Sequence, residues 1–175
     1  SSGTVTYRGT DITGPNPGVG LVFQTFALMP WLTVQANVEL GLEARGVPRE
    51  ERRRAALQAI DAIGLDGFEN AYPKELSGGM RQRVMIALAL TGSPRLLLAD
   101  EPTTALDVVV QRELLQEMRA LVQARGMSML IVTHDLNLAR DVAAFTRLGW
   151  RAAKFCPVDL FPQTKHVETV CLLVK

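Results

Sequence analysis

The sequence predicts an α/β fold built on a parallel sheet. Two short apolar runs, residues 96–99 and 127–133, are separated by a long amphipathic segment at residues 106–124. Strands of this length joined by a helical crossover run in the same direction within one sheet. A further apolar run at residues 20–23 follows a loop rich in Gly and Pro and predicts another strand.

The N-terminal third of the chain predicts a further strand and a helix. Alternating residues at 4–8 predict a strand that begins without any preceding element to pair with. We therefore expect a further segment upstream of Ser1. Residues 32–46 predict a helix with Thr33 as its N-cap, because apolar residues recur about four positions apart.

The middle of the chain predicts further helices. Residues 47–65 carry Pro48 in the first turn, early acidic residues and an apolar stripe that ends at Gly64. Residues 77–90 predict a helix that opens on glycines, and a short helix is expected from Asp135. The pattern changes near Phe145.

Composition and charge narrow the class of protein. The chain has 175 residues, is 47% hydrophobic and carries a formal net charge of +1, which gives no electrostatic case for binding nucleic acid or anionic lipid. No apolar run is long enough to span a bilayer, and we expect a cytoplasmic protein. Cys156 and Cys171 match no metal-binding spacing and are expected to be reduced thiols.

Two adjacent carboxylates follow the aliphatic strand at residues 96–99. Asp100 and Glu101 fall at its carboxyl end, where ligands bind in parallel α/β sheets. An Asp at this place can support Mg²⁺, and a neighbouring Glu can polarise the water that attacks a γ-phosphate. The alternative is a pair of solvated acids that begins a loop.

Three further segments point to the same edge. Ser77, Gly78 and Gly79 open a helix whose N-terminal N–H groups can approach an anion, although such a loop is more often a simple cap. His134 follows the strand at residues 127–133, where a surface or core role is the alternative. Gln24 follows the strand at residues 20–23 and carries an amide able to ligate Mg²⁺.

Five motifs in this order, LVFQ, LSGGM, LLLADEP, TALD and VTHD, resemble the ATP-binding subunit of ABC transporters. The resemblance covers about residues 1–144 and implies a partial P-loop NTPase-type parallel sheet with an inserted helical subdomain at about residues 26–92. The first half is most similar to importers of nitrate, sulfonates or taurine. The middle is most similar to importers of oligopeptides.

The resemblance implies a role for each candidate residue. Gln24 is the Q-loop glutamine, which also ligates the metal, and Asp100 is the Walker B aspartate that supports Mg²⁺. Glu101 is the catalytic base, and His134 is the switch histidine that contacts the γ-phosphate. The nucleotide-binding set is completed by the signature residues and the D-loop aspartate at the dimer seam: Ser77, Gly78, Gly79 and Asp107. ATP and Mg²⁺ are the implied cofactors.

The resemblance also implies two protein partners. One is a transmembrane permease subunit, met by the helical subdomain near the apolar segment at residues 26–34, and the other is a second ATP-binding subunit. Ordinary core packing is the alternative role for Phe26, Leu28 and Trp31. The implied location is the inner face of the cell membrane, with the protein bound peripherally.

A phosphate-binding loop of the form G-x-x-x-x-G-K-[ST] does not occur among these 175 residues. In the family this loop precedes the first strand, so we expect it upstream of Ser1. Because positioning and electrostatics supply most of the catalysis of phosphoryl transfer, we expect the chain alone neither to bind ATP tightly nor to hydrolyse it. We expect the strand that precedes this loop to be missing with it, and its absence would expose an edge of the sheet.

The segment at residues 145–175 is a divergent or foreign tail. Its end, residues 158–175, resembles the C-terminus of S-adenosylmethionine-dependent RNA uracil-5-methyltransferases, in which the glutamate corresponding to Glu168 helps to remove a proton. That family's nucleophilic cysteine segment and cofactor-binding glycines are absent from this sequence, so neither methyltransferase activity nor nucleic-acid binding is expected. A divergent pair of strands is the alternative.

The sequence therefore predicts an ATP-hydrolysing subunit of an ABC transporter, in the direction of import, that is inactive alone. The alternative is a fragment that docks on a permease or on a partner ATPase without hydrolysing ATP.

Overall fold

The structure, a computed structural model, describes residues 3–4, 6–103, 106–133, 151–158 and 168–174. The strands are β1 (Thr6–Tyr7), β2 (Thr10–Asp11), β3 (Val19–Val22), β4 (Leu96–Asp100), β5 (Ser128–Thr133), β6 (Arg151–Val158) and β7 (Glu168–Val174). The helices are α1 (Val34–Glu43), α2 (Arg49–Ala62), α3 (Gly78–Thr91) and α4 (Val108–Ala124), with a short 3-10 turn at Pro73–Glu75.

The main sheet has five strands in the order β3-β4-β5-β7-β6. Strands β3, β4 and β5 are parallel, as the sequence predicts, and the α4 crossover joins β4 to β5. The tail adds two antiparallel strands, because β7 pairs with β5 and β6 pairs with β7. The α/β class is thus confirmed.

The core lies between the sheet and the helices. Alternate residues of the parallel strands are buried on one face, among them Val22, Leu97 and Ile131. They pack in one cluster with residues of α3 and α4 such as Leu90 and Met118. Helices α1, α2 and α3 pack on one another and form the helical part of the molecule.

Several element boundaries differ from the sequence expectation. The strand expected at residues 4–8 is a two-residue strand, β1, in a hairpin with β2, because Arg8 and Gly9 turn the chain with positive φ angles of 53° and 79°. Helix α4 begins at Val108 rather than at residue 106, because Asp107 caps it. The helix expected from Asp135 lies outside the described residues.

The edges of the sheet also differ in part from expectation. The outer edge of β3 pairs with no other strand among the described residues, whereas the outer edge of β5 is covered by β7. The pair of strands given as the alternative for the tail is present as β6 and β7, and β7 is internal to the sheet. In the described part of the chain, no helix is long and apolar enough to cross a bilayer.

Candidate functional site

The carboxyl edge of the parallel strands brings three of the predicted side chains together. Asp100 ends β4 opposite Val132 of β5, and Glu101 follows directly. The Glu101 backbone N–H donates to the carbonyl of Val132 over 2.9 Å, which ties the start of the loop to β5. Gln24 lies two residues beyond the end of β3.

A direct hydrogen bond joins Gln24 to Glu101. The Gln24 Nε2 donates to Glu101 Oε2 over 2.7 Å, across 77 positions of sequence. The Glu101 residue is only 8% exposed and has a positive φ of 45°, whereas Asp100 is exposed. The predicted catalytic base is therefore held in a defined position, and the predicted metal-supporting aspartate faces solvent.

The oxygen atoms at this edge suit a hard cation that keeps other ligands, such as waters or phosphates, in addition to protein atoms. Because Gln24 donates through Nε2, its Oε1 is the atom suited to ligate Mg²⁺, alongside the Asp100 carboxylate. No cluster of three or more His, Cys, Asp or Glu side chains that could hold a metal occurs within the described ranges. Mg²⁺ usually retains waters and substrate phosphates as ligands, so two protein oxygens fit this ion.

Ser77 caps helix α3, as the sequence pattern predicts. Its hydroxyl accepts a hydrogen bond from the Met80 N–H over 3.3 Å, which satisfies one of the unpaired donors at the start of the helix. Ser77 is exposed, and the two glycines that follow are half-buried. The hydroxyl and the helix N-terminus thus lie where an anion from outside can reach them.

The two glycines after Ser77 contact the start of α4. A Cβ on Gly79 would lie 2.9 Å from Val110 Cγ1, and a Cβ on Gly78 would lie 3.5 Å from Leu106 Cδ2. Packing between α3 and α4 therefore disfavours a larger residue at position 79, independently of any role in nucleotide binding. This packing also joins the predicted signature segment to the predicted D-loop.

Asp107 is the N-cap of α4. Its Oδ1 accepts from the N–H groups of Val109 and Val110, each over 3.1 Å. Before it, the Leu106 N–H donates to the Thr103 carbonyl over 3.0 Å, and Gln111 Nε2 donates to the same carbonyl over 2.9 Å. Asp107 therefore fixes the helix start, and its predicted role at a dimer seam stays a prediction.

The predicted site residues form two groups. Gln24, Asp100 and Glu101 meet at the sheet edge, while Ser77, Gly78 and Gly79 meet the segment that contains Asp107. The switch histidine, His134, lies outside the described residues.

Sequence reasoning missed three arrangements near the site. Asn37 is fully buried, accepts from the Met29 N–H over 2.7 Å and donates to the carbonyls of Met29, Leu32 and Thr33. The hint was an Asn at a position of α1 that the apolar pattern assigns to the core. The result is a rigid loop before α1, on which Trp31 remains 69% exposed.

The second missed arrangement is an ion pair between α3 and α4. Arg83 donates two hydrogen bonds of 2.8 and 2.5 Å to the Glu117 carboxylate, and these bonds raise the pKa of the Arg83 guanidinium above its usual value. The third is Gln82, which is 3% exposed and whose Nε2 finds no hydrogen-bond partner in the described part of the protein. The ion pair and the burial of Gln82 both arise where segments distant in sequence pack together, so local patterns do not indicate them.

The fold and the edge define a class, that of α/β nucleotide-binding cassettes. Within it, the family model described as ABC transporter matches residues 1–104, more than half of the chain. The chain belongs to this family.

Curated relatives carry similar sequences. The methionine import ATP-binding protein MetN of Streptomyces avermitilis is 45% identical over 156 residues, 81% of this chain and 45% of the relative. The nitrate import ATP-binding protein NrtD of Synechocystis is 43% identical over 79% of this chain and 52% of its own length. The taurine import ATP-binding protein TauB of Yersinia pestis is 42% identical, over 82% of this chain and 56% of its own length. The chain spans about half the length of these relatives.

A solved structure shares the fold. The ATP-binding cassette MJ0796, a dimer in a post-hydrolysis state bound to ADP and Pi, superposes with a TM-score of 0.59 at 43% identity. The match covers 70% of this chain and 54% of that structure. Helices α1 to α3 lie between β3 and β4 in the sequence and pack on one another, and the inserted helical subdomain stays a prediction.

Proposed function

We propose that this chain supplies the Q-loop, signature and Walker B parts of the ATP-hydrolysing subunit of an ABC importer, which couples ATP hydrolysis to transport. The observation that carries the proposal is the 2.7 Å hydrogen bond between Gln24 and Glu101 at the carboxyl edge of the sheet. It joins the predicted catalytic base to the predicted Q-loop glutamine. The import relatives support the direction of transport.

Each side chain has a task in this mechanism. Glu101 accepts a proton from the water that attacks the γ-phosphate, and its place beside β5 holds it for that step. Asp100 and Gln24 are the residues that would hold Mg²⁺, which supplies charge neutralisation at the β- and γ-phosphates when bound. Ser77 and the N–H groups of Gly78 and Gly79 close over the γ-phosphate of ATP held by a partner subunit.

The phosphates themselves need a cradle that these residues do not form. No G-x-x-x-x-G-K-[ST] loop occurs in the sequence, so the chain alone is expected to show no micromolar affinity for Mg-ATP. Titration calorimetry of the isolated chain measures this. A micromolar dissociation constant would contradict the expectation.

A mixed-subunit ATPase assay tests the proposed function. The chain is combined with a complete ABC ATPase subunit, and turnover is expected to depend on both faces of the site. Glu101→Gln removes the base and Ser77→Arg blocks the helix N-terminus, so each is expected to lower turnover of the mixed pair at least 100-fold. Glu50→Gln, an exposed carboxylate on α2, is the matched control and should leave the rate unchanged.

A docking role without hydrolysis is the second candidate, and the tip before α1 favours it. Trp31 is 69% exposed and Met29 is 39% exposed, while Leu28 packs against the core and Arg81 lies over the Phe26 ring at 5.9 Å. A rigid tip with an exposed Trp suits a protein partner, and a permease subunit at the inner face of the membrane is the partner we propose. Turnover indifferent to Glu101→Gln and Ser77→Arg, with binding lost in Trp31→Ala, would favour docking alone.

A further inference from the structure

A cleft of about 410 Å³ lies at the amino end of β4, the end opposite to Asp100. Helix α2 contributes Ala55, Gln58 and Ala59, and the rest of the lining comes from the end of α3, the residues before β4 and the end of α4. Because β4 runs from this cleft to the edge that carries Asp100, the cleft is separate from the candidate site. Its volume falls in the range of small-molecule sites in proteins.

Arg125, the C-cap residue of α4, lines the cleft with a guanidinium group that is held in place. Its Nη1 donates to the carbonyl of Leu90 at the end of α3 over 3.0 Å. A guanidinium has several N–H donors, so this hydrogen bond leaves others for a ligand. The ion pairs of the described residues all involve other side chains, so no carboxylate pairs with Arg125 within the described ranges.

Two more arginines lie near this end of α3. A Cβ on Gly92 would lie 3.2 Å from Arg45 Nη1, and Arg95 directly follows Pro94 of the cleft lining. Both arginines are exposed, and neither forms an ion pair in the described part of the chain. The C-terminus of a helix carries about half a negative charge, and two helices, α3 and α4, end here. Three guanidinium groups outweigh these partial charges, so the surroundings of the cleft favour an anion.

Ser93 adds a hydroxyl group to the lining at a backbone position that usually carries glycine. It follows the C-cap of α3 with a φ of 49°, a conformation that glycine supplies at many helix ends. The buried residues Ala59, Leu90 and Pro94 give the same lining an apolar part. A cleft with a cation, a hydroxyl and an apolar surface suits a molecule that has an anionic group and an apolar body.

We propose that this cleft binds a small organic carboxylate. The carboxylate of the ligand accepts hydrogen bonds from Arg125 and from the Ser93 hydroxyl, and its apolar body lies against Ala59 and Pro94. Inorganic phosphate has no apolar body and binds less well. The site is distinct from the proposed nucleotide site, and binding here needs neither ATP nor a partner subunit.

Fluorine NMR with 4-fluorobenzoate as the probe tests the proposal on the full chain. The probe has a planar carboxylate and an apolar ring, and its resonance broadens when it binds a protein. We expect saturable broadening with a dissociation constant in the low millimolar range, which is usual for a ligand of this size. 4-Fluorobenzamide has nearly the same shape without the charge and should bind at least about 10-fold more weakly.

Variants of the cleft separate a loss of binding from a loss of fold. Arg125→Gln is expected to weaken binding of 4-fluorobenzoate at least about 10-fold. Ser93→Gly should weaken it at least about 3-fold, and its melting temperature should not fall, because glycine adopts the positive φ without strain. Arg112→Gln is the matched control. It removes an exposed arginine of α4 outside the lining and should bind like the unmodified chain.

Equal affinities for the charged and the neutral probe would overturn the proposal, as would unchanged affinity in both Arg125→Gln and Ser93→Gly. Displacement of the probe by an equal concentration of inorganic phosphate would also overturn it, because the site would then bind anions without regard to an apolar body. The absence of saturable broadening would contradict the site itself.

Discussion

At the scale of single residues, Asn37 organises the tip that precedes α1. It is fully buried and makes four hydrogen bonds to the backbone of the Met29–Thr33 loop. No apolar side chain can replace these bonds, and the polar backbone groups would lose their partners in a place with little water. The position of the exposed Trp31 therefore depends on Asn37, which holds the backbone on both sides of it.

Asn37→Leu is expected to lower the free energy of unfolding by about 2–4 kcal/mol, since several buried backbone groups lose their partners. Urea unfolding monitored by Trp fluorescence measures it. Gln35→Ala is the control, because the Gln35 side chain donates to Glu39 on the same helix, and its loss is expected to cost under about 0.5 kcal/mol. Equal losses in the two variants would contradict the role of Asn37.

Gln82, unlike Asn37, is a buried polar side chain whose Nε2 has no hydrogen-bond partner in the described part of the chain. Replacing it with Met keeps the approximate volume and removes a buried donor without a partner in the described part of the chain, so the stability is expected to rise by about 1 kcal/mol. Gln111→Met is the control and is expected to lower stability, because Gln111 donates to the Thr103 carbonyl over 2.9 Å. Thermal unfolding of both variants compares them. A loss of stability in Gln82→Met would show that its amide has a partner.

At the scale of elements, the seam between α3 and α4 links the predicted signature segment to the predicted D-loop. The Gly79–Val110 packing and the Arg83–Glu117 ion pair hold the two helices together along this seam.

Gly79→Ala is expected to destabilise the protein by about 1–3 kcal/mol, because its Cβ would lie 2.9 Å from Val110 Cγ1. Adding Val110→Ala should recover much of the loss, and a double-mutant cycle in urea measures the coupling. Gly41→Ala is the matched control. No atom lies within 4 Å of its added Cβ in α1, so stability should rise by about 0.5–1 kcal/mol. Additive effects of the Gly79 and Val110 changes would argue against the seam.

At the scale of the whole molecule, Gly20 joins the sheet to the helical part. A Cβ at this position would lie 2.5 Å from the backbone oxygen of Ala89 in α3, and backbone atoms cannot move aside as a flexible side chain can. Gly20→Ala is therefore expected to lower the free energy of unfolding by more than about 3 kcal/mol and the melting temperature by at least about 6 °C. Calorimetry measures it, and a variant that melts like the unmodified chain would contradict the close approach.

Local sequence patterns predicted most of the helices and parallel strands, but not the contacts between segments that are distant in sequence. The parallel strands and the four helices were predicted because their signals lie within a few neighbouring residues. The motifs likewise predicted that Gln24 and Asp100 share an edge. Strand β7 could not be placed beside β5, because the pairing of distant strands depends on register and competition rather than on local spacing. The Gln24–Glu101 hydrogen bond, which joins residues 77 positions apart, could not be predicted for the same reason.

The backbone conformation of Glu101 affects which residues are favourable at this position. Its φ of 45° lies in the left-handed region, which glycine adopts freely and which costs a residue with a Cβ about 1–2 kcal/mol. A chain selected for stability alone would carry Gly or Asn there. The position instead carries a glutamate that is 8% exposed. The backbone conformation that places its carboxylate here lowers the stability of the protein. Substitution with Gly would relieve this backbone cost, but it would also remove the hydrogen bond that the carboxylate accepts from Gln24.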